Sequence, residues 1–555
     1  MHKLKTLFSD SSLIIQSYKM KRFIIAYIVL GVLVANATYA QQPVITANQF
    51  ETKADAAYEI KDYNTALSHY MTILNDEPDR ADLYWKTAES ARLTRRFGVA
   101  ETYYEALSKN PELSKTQPLL DYHLAMVKKS LGKYDMAIAL LQKYTTTAGD
   151  LAATATTEIE ALKWAKEASQ IRPYEPIHLN DNINTIYIDA APVRHGDILY
   201  YTSASFKKPD GAPVTNVFSS NMIDKALPLA INSQTEGVHT AYYALNTEGS
   251  RLYYNLCDQE ESGNFHCQIH VREKSADGSW GKPNLLDTNT INISGFTATQ
   301  PNIGFDKTKG KDVLYFVSDR RGGRGGLDIW AADIEANGIL TAPVNLTAVN
   351  TSKDDITPFF MNGPQILTFS TEGYETFGGF DIFTSELTRT GFAEVKNIGY
   401  PMNTSYDDMY TSFDADNAKY YFVSNRVGGL CDNDKKDCVC NDIYEHNIMV
   451  NLDASTFLAG GGTALIGCKI DLVDLETGKI VTKINEEGNG YNFPLLPNKR
   501  YQLIASKSGY MSDTITFNTL VAGAKMAIAG EASSDLAVSA LGIYAPITKI
   551  IKKLI

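Results

Sequence analysis

Cysteine, histidine and clustered carboxylate side chains are where this sequence would carry chemistry, and their spacing points to structure more than to reaction. Cys257 and Cys267 flank residues 258–266, a polar stretch containing Gly263 that reads as a hairpin tip. The two thiols would then face each other across paired strands and close a disulfide. Cys431, Cys438 and Cys440 share one loop, where two of them would form a small ring and the third would meet Cys468. Zinc is the alternative, but C-x6-C-x-C lacks the paired C-x2-C spacing and has no well-placed histidine. The same loop, 431–437, is acidic enough to suggest calcium, yet two lysines interrupt it and no glycine stands at its sixth position. A solvated loop is the simpler reading.

Other reactive patterns are missing from the sequence. A G-x-S-x-G elbow, which would present a serine nucleophile, does not occur. Neither does H-E-x-x-H among nine dispersed histidines. The glycine run RRGGRGGLD (320–328) resembles a phosphate loop, but it lacks Gly-Lys-Ser/Thr and joins two strands instead of opening a helix. Carboxylates scattered over the central region would become an acid/base pair only if folding brought two together. No catalytic residue, cofactor-binding residue or metal ligand is therefore assigned, no cofactor is expected, and the chain is expected to be non-catalytic.

Three kinds of segment must position these residues. Residues 50–170 are helical in pattern and repetitive: Ala54, Ala57, Tyr63, Ala66 and Tyr70 recur 34 residues later as Ala88, Ala91, Phe97, Ala100 and Tyr104. Ala125, Tyr134, Ala137 and Leu141 form a third round after an insertion around 112–118. Period, small residues and prolines at 78 and 111 resemble tetratricopeptide repeats, whose helix pairs stack into an α-solenoid with a peptide-binding concave side. A plain helical bundle is the alternative.

From 177 to 450 a β-run, a glycine-rich turn and a short Asp-Ile-aromatic strand recur. The unit is clearest in VLYFVSDRRGGRGGLDIW (313–330), ILTFSTEGYETFGGFDIF (366–383) and YYFVSNRVGGL with NDIY (420–444). Weaker copies lie at 198–218 and 251–270. Asn216, Asp328, Asp381 and Asp442 each precede a β-branched residue and an aromatic, and the three aspartates would accept backbone N–H groups and set the re-entry into the next strand. Units of this length hold four strands, one blade each, and predict an all-β propeller of five blades, or six if one is degenerate. The motifs resemble TolB and WD-type repeats. Residues 457–520 alternate as strands around the turn Glu476-Thr477-Gly478-Lys479 and resemble the carboxypeptidase regulatory-like, transthyretin-like β-sandwich, which carries no peptidase chemistry. Residues 521–555 read as a C-terminal tail.

Bulk properties agree with a multidomain β-rich protein: 555 residues, 44% apolar, 32 tyrosines and 22 phenylalanines. A net charge of −12 argues against nucleic acid and anionic membrane surfaces as partners. Residues 1–40 read as a cleaved signal peptide, with Lys19, Lys21 and Arg22 ahead of the apolar run 23–34 and small residues before Gln41. Met20 is a candidate true start, and a retained anchor is the alternative, although the run is shorter than a membrane span. Six cysteines suit an oxidising compartment. A periplasmic protein associated with the outer membrane is expected.

The order signal peptide, tetratricopeptide repeats, propeller, regulatory-like sandwich resembles the PorE-like periplasmic proteins of the Bacteroidota type IX secretion and gliding apparatus. The join IHLNDNINTIYIDAAPVRHGDILYYTSA (177–204) resembles that family as well. The resemblance implies a scaffold binding envelope proteins, among them a PorP/SprF-type outer-membrane barrel protein. Family members continue into an OmpA-type domain about where this sequence stops, which puts a peptidoglycan partner in doubt. The competing expectation is a TolB-like or glycan- or peptide-binding propeller module unrelated to secretion.

Overall fold

The computed structural model describes residues 47–146, 150–170, 175–207, 213–259, 265–414, 419–430, 440–447, 450–458, 463–496, 499–522, 525–530, 537–539 and 545–551. The expected signal peptide lies outside them. Eight helices come first: α1 (Ala47–Glu59), α2 (Tyr63–Asp76), α3 (Tyr84–Leu93), α4 (Phe97–Ser108), the short α5 (Pro111–Ser114), α6 (Leu120–Ser130), α7 (Tyr134–Thr145) and α8 (Ala152–Ala168). They pack as consecutive hairpins, and the repeated alanines are the fully buried points where helices approach.

A polar tie recurs with the same period. Tyr70 Oη donates to Asp55 at 2.5 Å while Lys86 Nζ lies 2.8 Å from the same carboxylate. One repeat later, 34 residues on, Tyr104 donates to Glu89, and His123 Nδ1 takes the place of the lysine at 2.5 Å. Burial alone would raise the Glu89 pKa, but the hydrogen bonds from His123 and Arg92 override it and hold it at about 2.

The centre is a ring of five antiparallel sheets. Their inner strands are Asp189–His195, His239–Leu245, Ala298–Asp306, Asp355–Met361 and Asp408–Asp414, each adjoining the next and the last adjoining the first. This is a five-bladed propeller, one blade per motif copy. The fifth blade takes its outer strand, Ile177–His178, from the segment before the first blade, with Ile177 opposite Glu445. Each Asp-Ile-aromatic motif begins a third strand, as predicted from the repeat.

Every outer strand of the ring has only two residues in contact with the third strand, and one outward N–H of that third strand is left in need of a partner. A buried asparagine supplies it in all five blades. Asn232, Asn292, Asn350, Asn403 and Asn184 accept the N–H of Val217, Ile269, Ile329, Ile382 and Ile443 at 2.7–2.9 Å. Their amide groups donate back to the carbonyls of the same residues at 2.8–2.9 Å. In three blades the asparagine is linked onward to the motif aspartate. Asn345 bridges Asn350 to Asp328, Asn397 bridges Asn403 to Asp381, and His178 stands between Asn184 and Asp442. The paired glycines of the third and fourth motif copies have a different duty. A Cβ on Gly325 or Gly378 would lie 2.0 Å from the Lys353 or Ser405 carbonyl oxygen of the next crossover, so only glycine permits that approach.

The helices dock where the fourth blade meets the fifth. Arg95, in the α3–α4 turn, donates from Nε to Asp407 at 2.6 Å and from Nη2 to Glu372 at 3.2 Å. Its guanidinium lies 5.5 Å from the Phe97 ring and 5.0 Å from that of Phe380. Trp164 of α8 packs 4.7 Å from Phe377. Beyond the ring, a six-stranded and a three-stranded sheet share a core built from Leu452, Ile470, Phe493, Leu503 and Phe517. Two boundaries differ from expectation. The first strand of this region begins at Val450, because alternation places Leu452 and Ala454 in its core, and the segment read as a tail contributes strands 525–530, 537–539 and 545–551.

Two outcomes follow for stability. Asn350→Ala leaves the buried Ile329 N–H without its partner, while the Ile329 carbonyl keeps the Leu346 N–H at 3.1 Å, and should destabilise the protein by about 1–3 kcal/mol, read as a lower denaturant midpoint. Arg95→Ala strands the buried Asp407 carboxylate and should cost about 3 kcal/mol, with faster hydrogen exchange at 372–380.

Candidate functional site

The residues singled out by type fall mainly into structural roles. Cys257 and Cys267 are direct register partners on adjacent strands, with Cα atoms 4.1 Å apart, and form a disulfide. Cys431, Cys438 and the acidic stretch between them lie outside the described residues. Cys440 is disulfide-bonded. Cys468 corrects an expectation: it is a free, buried thiol in the C-terminal core and does not pair with the loop cysteines. In the RRGGRGGLD run, the Arg324 and Gly325 N–H groups bind Asp328, at 2.5 and 2.9 Å, so the glycines build a strand-to-strand turn.

Asp189, Asp355 and Asp408 begin the inner strands of blades 1, 4 and 5, whereas His239 and Ala298 hold that register in blades 2 and 3. Each aspartate accepts the N–H of a threonine in its own crossover: Thr185 at 2.6 Å, Thr351 at 2.5 Å and Thr404 at 2.6 Å. All three are fully buried. Burial pushes Asp189 and Asp355 up to about 6 against the opposing hydrogen bonds, and raises Asp408 despite Arg426 at 2.7 Å. They brace crossovers and are shielded from a ligand.

The accessible cavity lies at the other end of the inner strands, where they turn into the second strand of each blade. It measures about 510 Å³ and draws its walls from all five blades, with no helical residue among its described lining. Tyr243, Phe359, Phe360 and Phe413 supply rings, and Arg194, His195, Asn246, Asn302 and Asn362 supply polar groups. Tyr243 stacks flat on Tyr200, centroids 4.1 Å apart, which stiffens one wall. Asn302 and Asn362 use their oxygens to accept the Phe360 and Phe305 N–H groups at 2.8 and 2.7 Å, which leaves the amide N–H groups as donors. Arg194 is held by Tyr421 at 3.1 Å and Asp414 at 3.3 Å. Glu248 is the single carboxylate among the described lining residues. Hydrolysis of a glycoside by a carboxylate pair would need two, about 5 to 10 Å apart.

A bulge in every inner strand closes the axis below this mouth. Ala191, Tyr242, Gln300, Thr357 and Tyr410 occupy the left-handed region at φ between 51° and 65°, at the point where each strand's register shifts. Tyr242 and Tyr410 belong to blades 2 and 5, which are separated by blade 1, yet their hydroxyls are 3.2 Å apart. The small Ala191 of blade 1 leaves room for the two phenols to meet. None of these residues carries a signature in the repeat motif; their only sequence mark is their position, one residue before Pro192, Tyr243, Pro301, Pro358 and Thr411.

No known protein family and no curated protein matches the sequence. Among solved structures, the chain is similar to a thermostable family-43 glycoside hydrolase, at 14% identity over 52% of this chain and 97% of that one, with a TM-score of 0.34. It is similar to an arabinanase of Bacillus subtilis, at 12% identity over 48% and 95%, and to a β-xylosidase/α-arabinofuranosidase from a compost microbial metagenome, at 12% over 53% and 98%. Both TM-scores are 0.33. Likeness at this level assigns neither reaction nor substrate to this chain. Two expectations are nevertheless corrected: these neighbours are carbohydrate-active enzymes, so the assignment as a non-catalytic secretion adaptor and the exclusion of an enzyme are both withdrawn.

The buried aspartates carry a pH signature. A carboxyl whose folded pKa lies above its unfolded value contributes stability that is complete below about pH 4 and is lost as pH rises through about 6. Asp355→Asn should therefore flatten the fall in stability between pH 4 and 6, by up to about 3 kcal/mol, in denaturation series compared with wild type.

Proposed function

We propose that this chain is an exported glycan-binding propeller that receives a carbohydrate end in the mouth described above. The supporting observation is the lining itself: half-buried Phe359 and Phe413 beside amide donors from Asn302 and Asn362. Aromatic rings offer the flat apolar faces that sugar rings stack on, and side-chain amides match sugar hydroxyls. No helical residue and no residue of the C-terminal sheets is among the described lining of this mouth.

The finer fold assignments belong to the same proposal. The 34-residue spacing of the Asp55–Tyr70 and Glu89–Tyr104 ties supports stacking of the tetratricopeptide kind. Two sheets around one core support a transthyretin-like sandwich for the C-terminal region. Export is supported by the Cys257–Cys267 disulfide and the bonded Cys440, because such bonds persist outside the reducing cytosol.

Calorimetric titration of the full mature chain against a panel of neutral oligosaccharides and short peptides tests the function. Oligosaccharide binding is expected, with Phe413→Ala weakening it about tenfold, equivalent to about 1.4 kcal/mol. Binding of peptides alone would replace the glycan assignment by peptide recognition.

A further inference from the structure

We infer that the seam between blades 3 and 4 is where the mouth selects its ligand, by binding the acetamido group of an N-acetylated sugar. The inference rests on the glycan reading of the mouth and names the class of sugar. It begins with a reciprocal clasp. Asn302 of blade 3 accepts the Phe360 N–H of blade 4 at 2.8 Å, and Asn362 of blade 4 accepts the Phe305 N–H of blade 3 at 2.7 Å. Gln365 laces the same seam, donating to the Phe305 carbonyl at 2.9 Å and accepting the Lys307 N–H at 2.9 Å. A backbone N–H can be met only by an amide's oxygen, so both carboxamides are fixed with their nitrogens as free donors. Asn302 is half-buried, Asn362 is exposed, both line the mouth, and neither nitrogen is walled in. Donors held in place by the seam lose little freedom when a ligand arrives.

The fold does not demand an amide here. Asn302 stands two residues after the left-handed residue of its strand, and Val193, Ala244, Phe359 and Ser412 hold that register in the other blades. Four blades pack without one. The same register sets Phe359, a half-buried ring of the mouth, on the inner strand that adjoins Asn302. Amide donors beside an apolar ring match an acetamido group, whose carbonyl oxygen accepts and whose methyl is apolar. The remaining polar groups favour a neutral acceptor. Arg194 is engaged by Asp414, Tyr421 and the Gly196 carbonyl, and burial lowers the His195 pKa, which leaves that ring uncharged at neutral pH. A carboxylate would therefore meet no unpaired cation among the described lining residues, and would meet Glu248. A hydroxyl needs an acceptor for its own proton, but the side-chain oxygens of Asn302 and Asn362 are engaged, and that of Asn246 accepts the Ser250 and Arg251 N–H groups at 2.8 Å. A carbonyl uses donors alone.

Calorimetric titration of the full mature chain with two matched pairs tests this: chitotriose against cellotriose, and N-acetylgalactosamine against galactose. Within each pair only an acetamido group replaces a hydroxyl. In at least one pair the acetamido sugar should bind about tenfold more tightly. Asn302→Asp and Asn362→Asp keep an oxygen for the Phe360 and Phe305 N–H groups but replace the donor by an acceptor. Each should weaken the acetamido sugar about tenfold and erase most of the preference within the pair, with the unfolding temperature near that of wild type. Equal or weaker binding of the acetamido sugar in both pairs, or an unchanged preference in both variants, would overturn the acetamido assignment. Binding of some other neutral oligosaccharide with none of these four would do the same, and in each case the glycan reading stands. Absence of any sugar binding by wild type would overturn both.

Discussion

At each blade an asparagine carboxamide stands where strand pairing runs out. The outer strands are too short to satisfy the third strand they flank, and a peptide N–H buried without a partner would cost about 1–3 kcal/mol in every blade. A side-chain amide has the same donor and acceptor, at nearly the same spacing, as the peptide group it replaces. Asn184, Asn232, Asn292, Asn350 and Asn403 therefore continue the sheet by two hydrogen bonds each and at the same time anchor the crossover that leads to the next blade. The braced aspartates, the glycine contacts between crossovers and the seat for Arg95 all lie on segments whose course these asparagines set.

With the crossovers held on one side of the ring, chemistry is left to the other side. The bulges decide how deep that side reaches. Five left-handed residues turn their strands inward at one level, and the meeting of Tyr242 with Tyr410 converts a ring with a hole into a cup with a floor. The cup is walled by rings and amides, the chemistry on which the proposed glycan binding rests.

Much of the architecture was legible in the sequence because its unit is local. The β-run, glycine turn and Asp-Ile-aromatic strand occupy about twenty consecutive residues, so blade number followed from counting copies. The asparagines were equally visible, as Ile183-Asn184, Ile231-Asn232, Ile291-Asn292, Val349-Asn350 and Met402-Asn403, but they sit 15 to 23 residues beyond the strand residues they bond or, for Asn184, at the far end of the region. A motif read only within its own hairpin misses them. The mouth was not legible at all: Phe359, Phe413 and Tyr243 come from three blades and converge only through ring closure. The disulfide Cys257–Cys267 was readable because both ends share one hairpin, whereas the fate of Cys468 depended on which core its strand entered.

Ring closure has a further consequence in time. Ile177 precedes the entire propeller and pairs with Glu445, near its end. A chain emerging amino-terminus first presents the outer strand of the last blade before any other strand of the ring exists. That strand has no partner until the motif around Asp442 has appeared, so the ring is an all-or-nothing object: four blades may be present in sequence while the circle, and with it the floored cup, does not yet exist.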